Sequence, residues 1–144
     1  MDELWEEIEA EKNLIEKTLN ELVKALQGKD RTYVVLAGMA SFVHNFYNGL
    51  ENILKRLLLA TGEKLDLRSP FWHHDLLQGA IDQQIISTSL AQKLKDYLGF
   101  RHFFVHAYGI LLDAEKLMPL ANNAAEIWRS FYAEIVAAYQ KLKQ

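Results

Sequence analysis

The sequence predicts an all-α fold, an up-and-down bundle of four long helices plus one short helix, and three observations predict it. Only two prolines and seven glycines occur in 144 residues, which leaves long stretches without a helix breaker. In those stretches apolar residues recur near a period of 3.6 rather than 2. Half of the residues are apolar and 24% are charged, enough to fill one core without staples. The length suits a single domain over residues 1–144. No cysteine is present, which excludes thiol nucleophiles, disulfides and Cys-ligated zinc and suits a reducing cytoplasm. Apolar runs too short for a bilayer and an acidic N-terminus, where a signal peptide would be basic, complete a cytoplasmic expectation without a membrane partner.

In the first helix Leu4, Ile8, Ile15, Leu19, Leu22 and Leu26 form a stripe, and Gly28 stands where a helix ends. Asp2, Glu3, Glu6, Glu7, Glu9 and Glu11 suit the positive end of its dipole and read as a solvated face, or as a docking surface for a basic partner. The second helix is expected from Arg31 to Thr61, ending at Gly62, about 45 Å long at 1.5 Å per residue. Val35, Met39, Phe42, Phe46, Ile53, Leu57 and Ala60 mark one of its seams, and Val43, Tyr47, Leu50, Leu54 and Leu58 a second, so it needs neighbours on two sides.

Glu63 to Ser69 is polar and reads as a loop. Ser69-Pro70 then reads as an N-cap with proline at the first helical position, opening a short helix from Phe71 to about Ala80. A fourth helix is expected from Ser87 or Ser89 to Gly109. Ile110 to Leu112 and Met118-Pro119 flank a short connection. A fifth helix then runs from about Leu120 to the C-terminus with Ile127, Phe131, Ile135 and Ala138 inward.

The fourth helix carries the chemistry. From Tyr97 to Tyr108 it is apolar almost all round, interrupted by Arg101, His102 and His106. At about 100° per residue from Leu94, Arg101 falls near −20° and Tyr108 near −40°, while Lys95, His102 and His106 fall between roughly 80° and 120°. Two polar rows result. Arg101 shares a line with Leu90, Leu94, Tyr97 and Phe104, where a core residue belongs, and an unpaired buried guanidinium costs several kcal/mol. That line therefore meets a partner charge, a cleft or a second subunit. Three readings stay open on pattern alone. Arg101 pairs with an acid such as Glu51 while the histidines are merely hydrogen-bonded; or His102 and His106, at i and i+4, bind a metal, with His73, His74 or Asp75 as the remaining ligand choices; or arginine and histidine perform acid/base phosphoryl chemistry.

Arg101-x4-His106-x-Tyr108, inside Leu98-Gly99-Phe100-Arg101-His102-Phe103-Phe104-Val105-His106-Ala107-Tyr108-Gly109, resembles the signature of HepT-like HEPN ribonuclease toxins. Ser69-Pro70-Phe71-Trp72-His73-His74-Asp75-Leu76-Leu77 is similar to the Trp-His-x-x-Leu-Leu stretch that precedes the motif helix in those proteins, and the likeness extends over essentially the whole chain. His102 stands where the family more often has Asn, and Ala107 where relatives are often acidic. The resemblance implies a homodimer whose motif helices face each other across a cleft. It implies a metal-independent endoribonuclease without cofactor, acting on RNA (tRNA or mRNA) and not on DNA. It also implies a toxin whose partner is a minimal nucleotidyltransferase (MNT-type) antitoxin that neutralises it by AMPylation of Tyr108.

Within that reading His106 carries protons, Arg101 holds the scissile phosphate and His102 is the auxiliary polar group. Glu51, as an anchor for Arg101, and Trp72, His73 and His74, as rings lining the RNA path, are further auxiliary candidates. Packing against the bundle is the competing role for Trp72. The alternative function is a non-catalytic HEPN binding module that docks a nucleotidyltransferase partner. The net charge of −3 and pI of about 5.9 discourage nucleic acid at first sight. Residues 1–16, however, hold seven acids and one base, so the rest of the chain carries a net charge of +3. Lys93, Lys95 and Arg101 lie on the motif helix and Lys55 and Arg56 on the long one, so local charge permits RNA.

Overall fold

The computed structural model describes residues 2–106 and 113–144, His106 by its backbone alone. The described residues form five α-helices and no strand: α1 (Glu3–Gln27), α2 (Tyr33–Ala60), α3 (Trp72–Asp82), α4 (Thr88–His106) and α5 (Ala114–Leu142). Local chemistry sets most of their ends. Thr32 caps α2 by accepting a hydrogen bond from the Val35 N–H at 3.4 Å, so the helix begins two residues after the expected Arg31. Arg31 turns back instead, donating to the carbonyl oxygens of Gly28 at 2.8 Å and Leu26 at 3.2 Å, which α1 leaves without intrahelical partners. The expected end of α2 is met by Gly62, whose φ of +93° a side chain would strain.

Two expected boundaries are corrected. Ser69 and Pro70 do not open α3. The Ser69 hydroxyl accepts from the Phe71 N–H at 3.1 Å, closing a turn just before the helix, which spans Trp72–Asp82 rather than Phe71–Ala80. The fifth helix starts six residues before Leu120, because Asp113 caps it by accepting from the Glu115 N–H at 2.9 Å. Met118-Pro119 lies inside α5; so near the start, proline forfeits one backbone bond while the buried Leu117 anchors the preceding turn. At α4 the expected Ser87 cap is present, its hydroxyl accepting from Leu90 N–H at 3.1 Å. The expected stop at Gly109 and the Ile110 to Leu112 connection lie outside the described residues.

The four long helices alternate in direction. Along α1 and α2, Glu7 pairs with Arg56, Glu11 accepts from Asn52 and Ile15 abuts Gly49, an antiparallel order. Along α2 and α4, Asn48 meets Arg101 and His44 meets Phe104. Tyr97 of α4 donates to the Leu120 carbonyl of α5, and α5 returns along α1 through Trp128 to Glu16 and Tyr132 to Glu9. α2 touches every other helix and supplies the centre of the core: Met39, Phe46, Tyr47, Leu50, Ile53, Leu54 and Leu57 are fully buried.

The acidic run of α1 is neither a simply solvated face nor a free docking surface. Glu7 and Glu11 engage Arg56 of α2, and Asp2 and Glu9 accept from Tyr139 and Tyr132 of α5. Only Glu3 and Glu6 of the six acids are exposed. No described helix is long and apolar enough to cross a membrane.

Candidate functional site

On the side of α2 that faces α3 and α4, His44, Asn48, Glu51 and Lys55 follow one another at helical spacing and form a polar stripe in an otherwise apolar helix. Glu51 is 3% exposed and is the only buried charged residue among the described residues. Two helices bring nitrogen bases to it. From α3, His73 Nδ1 lies 2.8 Å from Oε2 and 3.0 Å from Oε1. From α4, Arg101 Nε lies 3.9 Å from Oε1 while donating to Asn48 Oδ1 at 3.2 Å. The sequence expectation that Glu51 anchors Arg101 is thus met in the geometry, and Asn48 shares the task.

Burial pushes the Glu51 carboxyl above the usual carboxylate range, against the opposing pull of the His73 hydrogen bond and the His73 and Arg101 charges. The buried Tyr47 hydroxyl, one turn away and without a well-formed hydrogen bond, is pushed far above the ordinary tyrosine value by burial and by the Glu51 charge. Burial first and the Arg101 charge second hold His44 below the ordinary imidazole value. The Asn48 amide donates to its Nε2 at 3.1 Å, so His44, Asn48 and Arg101 form a chain behind the guanidinium.

Arg101 is held by Nε alone. Its two terminal nitrogens make no hydrogen bond among the described residues and are not buried. Arg101 borders a cleft of about 500 Å³ between the start of α3 and α4, lined with it by Pro70, His73, His74, Lys95, Leu98, Gly99 and His102. The two polar rows that the helical wheel separates, Arg101 on one and Lys95 with His102 on the other, therefore border one concavity, because α3 roofs the space between them. A planar guanidinium bordering an open cleft with three imidazoles and an ammonium suits a phosphate or another oxyanion. A second hollow lies between α4 and α5, lined by Phe100, Phe103 and Leu120 among others, with Lys116 above Phe103.

The remaining candidates divide. Trp72 is half-buried against the core, its ring stacked on His73 at 3.7 Å and under the Lys55 ammonium at 5.4 Å, so it serves the scaffold of the site. His106 ends the described part of α4, five residues beyond Arg101, and its side chain lies outside the described residues, as does Tyr108 altogether. No three His, Asp or Glu side chains converge as metal ligands among the described residues. His74 and Lys95, expected on the RNA path and on the His102 row, do border this cleft, whereas His44 is not expected from the sequence. The spacing 44, 48, 51, 55 on an apolar helix is the signal that could have found His44.

A family model described as HepT-like protein matches residues 38–142, which spans the whole polar stripe of α2 and all of α3, α4 and α5. Comparison with curated proteins and with solved structures gives no significant match. With an Arg-x4-His pair on one helix of an all-α bundle and a family match over most of its length, the chain belongs to the HepT-like family of HEPN proteins.

Proposed function

We propose that this protein is the toxin of a HEPN/MNT toxin-antitoxin pair, a metal-independent endoribonuclease that cleaves tRNA or mRNA as a cytoplasmic homodimer. The observation that carries the reading is the Arg101 guanidinium, held at Nε by Asn48 and Glu51 on the wall of the cleft, with no hydrogen bond from its terminal nitrogens among the described residues. A bidentate grip on a non-bridging phosphate oxygen pair follows from that geometry, and it offsets the charge that grows on the phosphate as the 2′-oxygen attacks. Cleavage then needs one group to take the 2′-hydroxyl proton and one to protonate the departing 5′-oxygen, and His106 of one or both subunits is the motif's proton carrier. DNA lacks the 2′-hydroxyl and is not a substrate. His102, bordering the same cleft, orients the phosphate.

Tyr108 follows Arg101 by seven residues, two helical turns if the helix continues. An adenylate attached there by the nucleotidyltransferase antitoxin adds phosphate charge and bulk next to a site that must accept RNA phosphate. The test is cleavage of total RNA by the purified protein, with the ends mapped. Wild type yields 2′,3′-cyclic phosphate and 5′-hydroxyl ends in the presence of EDTA, and His106→Ala yields none. Cleavage that disappears in EDTA and returns with zinc overturns the metal-independent mechanism. A folded wild type that cuts no RNA yet binds its nucleotidyltransferase is the non-catalytic docking module instead.

A further inference from the structure

We infer that His73, held by the buried Glu51, is a second proton-transferring residue of the cleft and acts as the base on the 2′-hydroxyl while Arg101 holds the phosphate. This rests on the ribonuclease reading above. Whenever Glu51 is ionised it only accepts hydrogen bonds, so at 2.8 Å a neutral His73 ring carries its hydrogen on Nδ1 and its lone pair on Nε2. Nε2 makes no hydrogen bond among the described residues and is not buried without a partner, and His73 lines the same cleft as Arg101. The His73 side chain is 15% exposed and its ring lies 3.7 Å from that of Trp72, which fixes its plane.

A base needs an orienting group behind it, and Glu51 is that group: it selects the tautomer and stabilises the imidazolium formed when Nε2 takes a proton. The same carboxylate stands 3.9 Å from Arg101 Nε, so one buried charge sets both the phosphate fork and the base. This replaces base stacking as the role of His73, whose ring is already stacked on Trp72 and whose Nδ1 is engaged.

In the step, Nε2 of His73 takes the 2′-hydroxyl proton and the 2′-oxygen bonds to phosphorus. The bond from phosphorus to the 5′-oxygen breaks with its electron pair on that oxygen, and a proton from His106 completes the 5′-hydroxyl. One proton has left the RNA for His73 and one has reached it from His106; exchange with water resets both.

The full-length protein is assayed on an RNA oligonucleotide and on the same oligonucleotide with sulfur in place of the 5′-oxygen at the cut, a leaving group that needs no proton. We expect His73→Ala to lower kcat about 10²–10⁴-fold on both substrates with KM changed only a few-fold. Imidazole in the buffer restores at least about tenfold, and His73→Gln, which keeps a donor toward Glu51, is as slow as His73→Ala. His106→Ala, by contrast, recovers on the sulfur substrate. A folded His73→Ala within about threefold of wild type overturns the inference, as does one that imidazole leaves unchanged or that recovers on sulfur. If wild type cuts and His106→Ala does not while His73→Ala remains active, only this inference fails; if wild type cuts no RNA, the ribonuclease reading itself fails.

Discussion

His44 is a residue whose protonation the fold opposes. Its Nε2 accepts from Asn48, its Nδ1 is buried without a partner, and burial together with the Arg101 charge lowers its pKa. The unfolded chain takes up a proton at His44 as pH falls below about 6.5, whereas the folded chain resists until its own lower pKa is reached. Stability from this residue is therefore present above the unfolded value and is lost as pH falls through the window beneath it. Glu51, raised mainly by burial, works in the opposite sense: it favours the folded state below the unfolded carboxylate range and loses that as pH rises through the folded value. His44→Phe keeps a ring on Phe104 and leaves Glu51 in place, so it isolates the histidine. The fall in melting temperature from about pH 7.5 to 5.5 is expected to be smaller in His44→Phe than in wild type, by differential scanning fluorimetry. Equal falls would show that His44 is protonated without cost. Arg101 and Glu51 were legible in the sequence because a guanidinium on an apolar heptad line demands a partner. His44 was not, since a single imidazole between Val43 and Phe46 looks like any core-edge residue until Arg101 is packed behind Asn48.

At the scale of the helix, the α1–α2 contact depends on a missing side chain. A Cβ built on Gly49 would overlap Ile15 Cγ1 and lie 2.9 Å from its Cδ1, and Ile15 is itself 2% exposed. Alanine gains about 1 kcal/mol of helix propensity over glycine, but overpacking a closed core costs about 1–3 kcal/mol, and a γ-carbon near the root of a branched side chain has little room to yield. Gly49→Ala is thus expected to destabilise by about 1–2 kcal/mol in urea unfolding, less than additively when combined with Ile15→Ala. A stabilised Gly49→Ala would mean that α1 does not seat as closely as described. All five helices are legible in the sequence, α1, α2 and α5 from their apolar spacing, α4 from its caps and unbroken apolar run, and α3 from the turn signal before it. The sequence misled at Ser69-Pro70 and at Met118-Pro119, where proline was read as a boundary. In the first case a serine turn ended before the helix; in the second Asp113 and the buried Leu117 extended α5 across the proline.

At the scale of the whole molecule, the proposed homodimer needs an apolar face, and one end of the bundle offers one. The antiparallel order brings the start of α2 and the end of α4 to the same end of the bundle, and Val34 is 78% and Val105 44% exposed there, with Phe103 and Phe104 half-buried. Val105 is four residues beyond Arg101, so an assembly that covers it joins the two clefts. A two-fold contact places each Val105 near its own copy, and a stable one buries about 800 Å² per partner. Light scattering is expected to give about twice the 16.6 kDa of one chain at micromolar concentration. In Val105→Glu two new carboxylates are forced together in the covered face, so the dimer constant should weaken by at least about tenfold, with helix content unchanged. A wild type that stays monomeric at that concentration, or a Val105→Glu variant that dimerises as wild type does, would leave this end of the bundle without a partner and the paired cleft without its geometry.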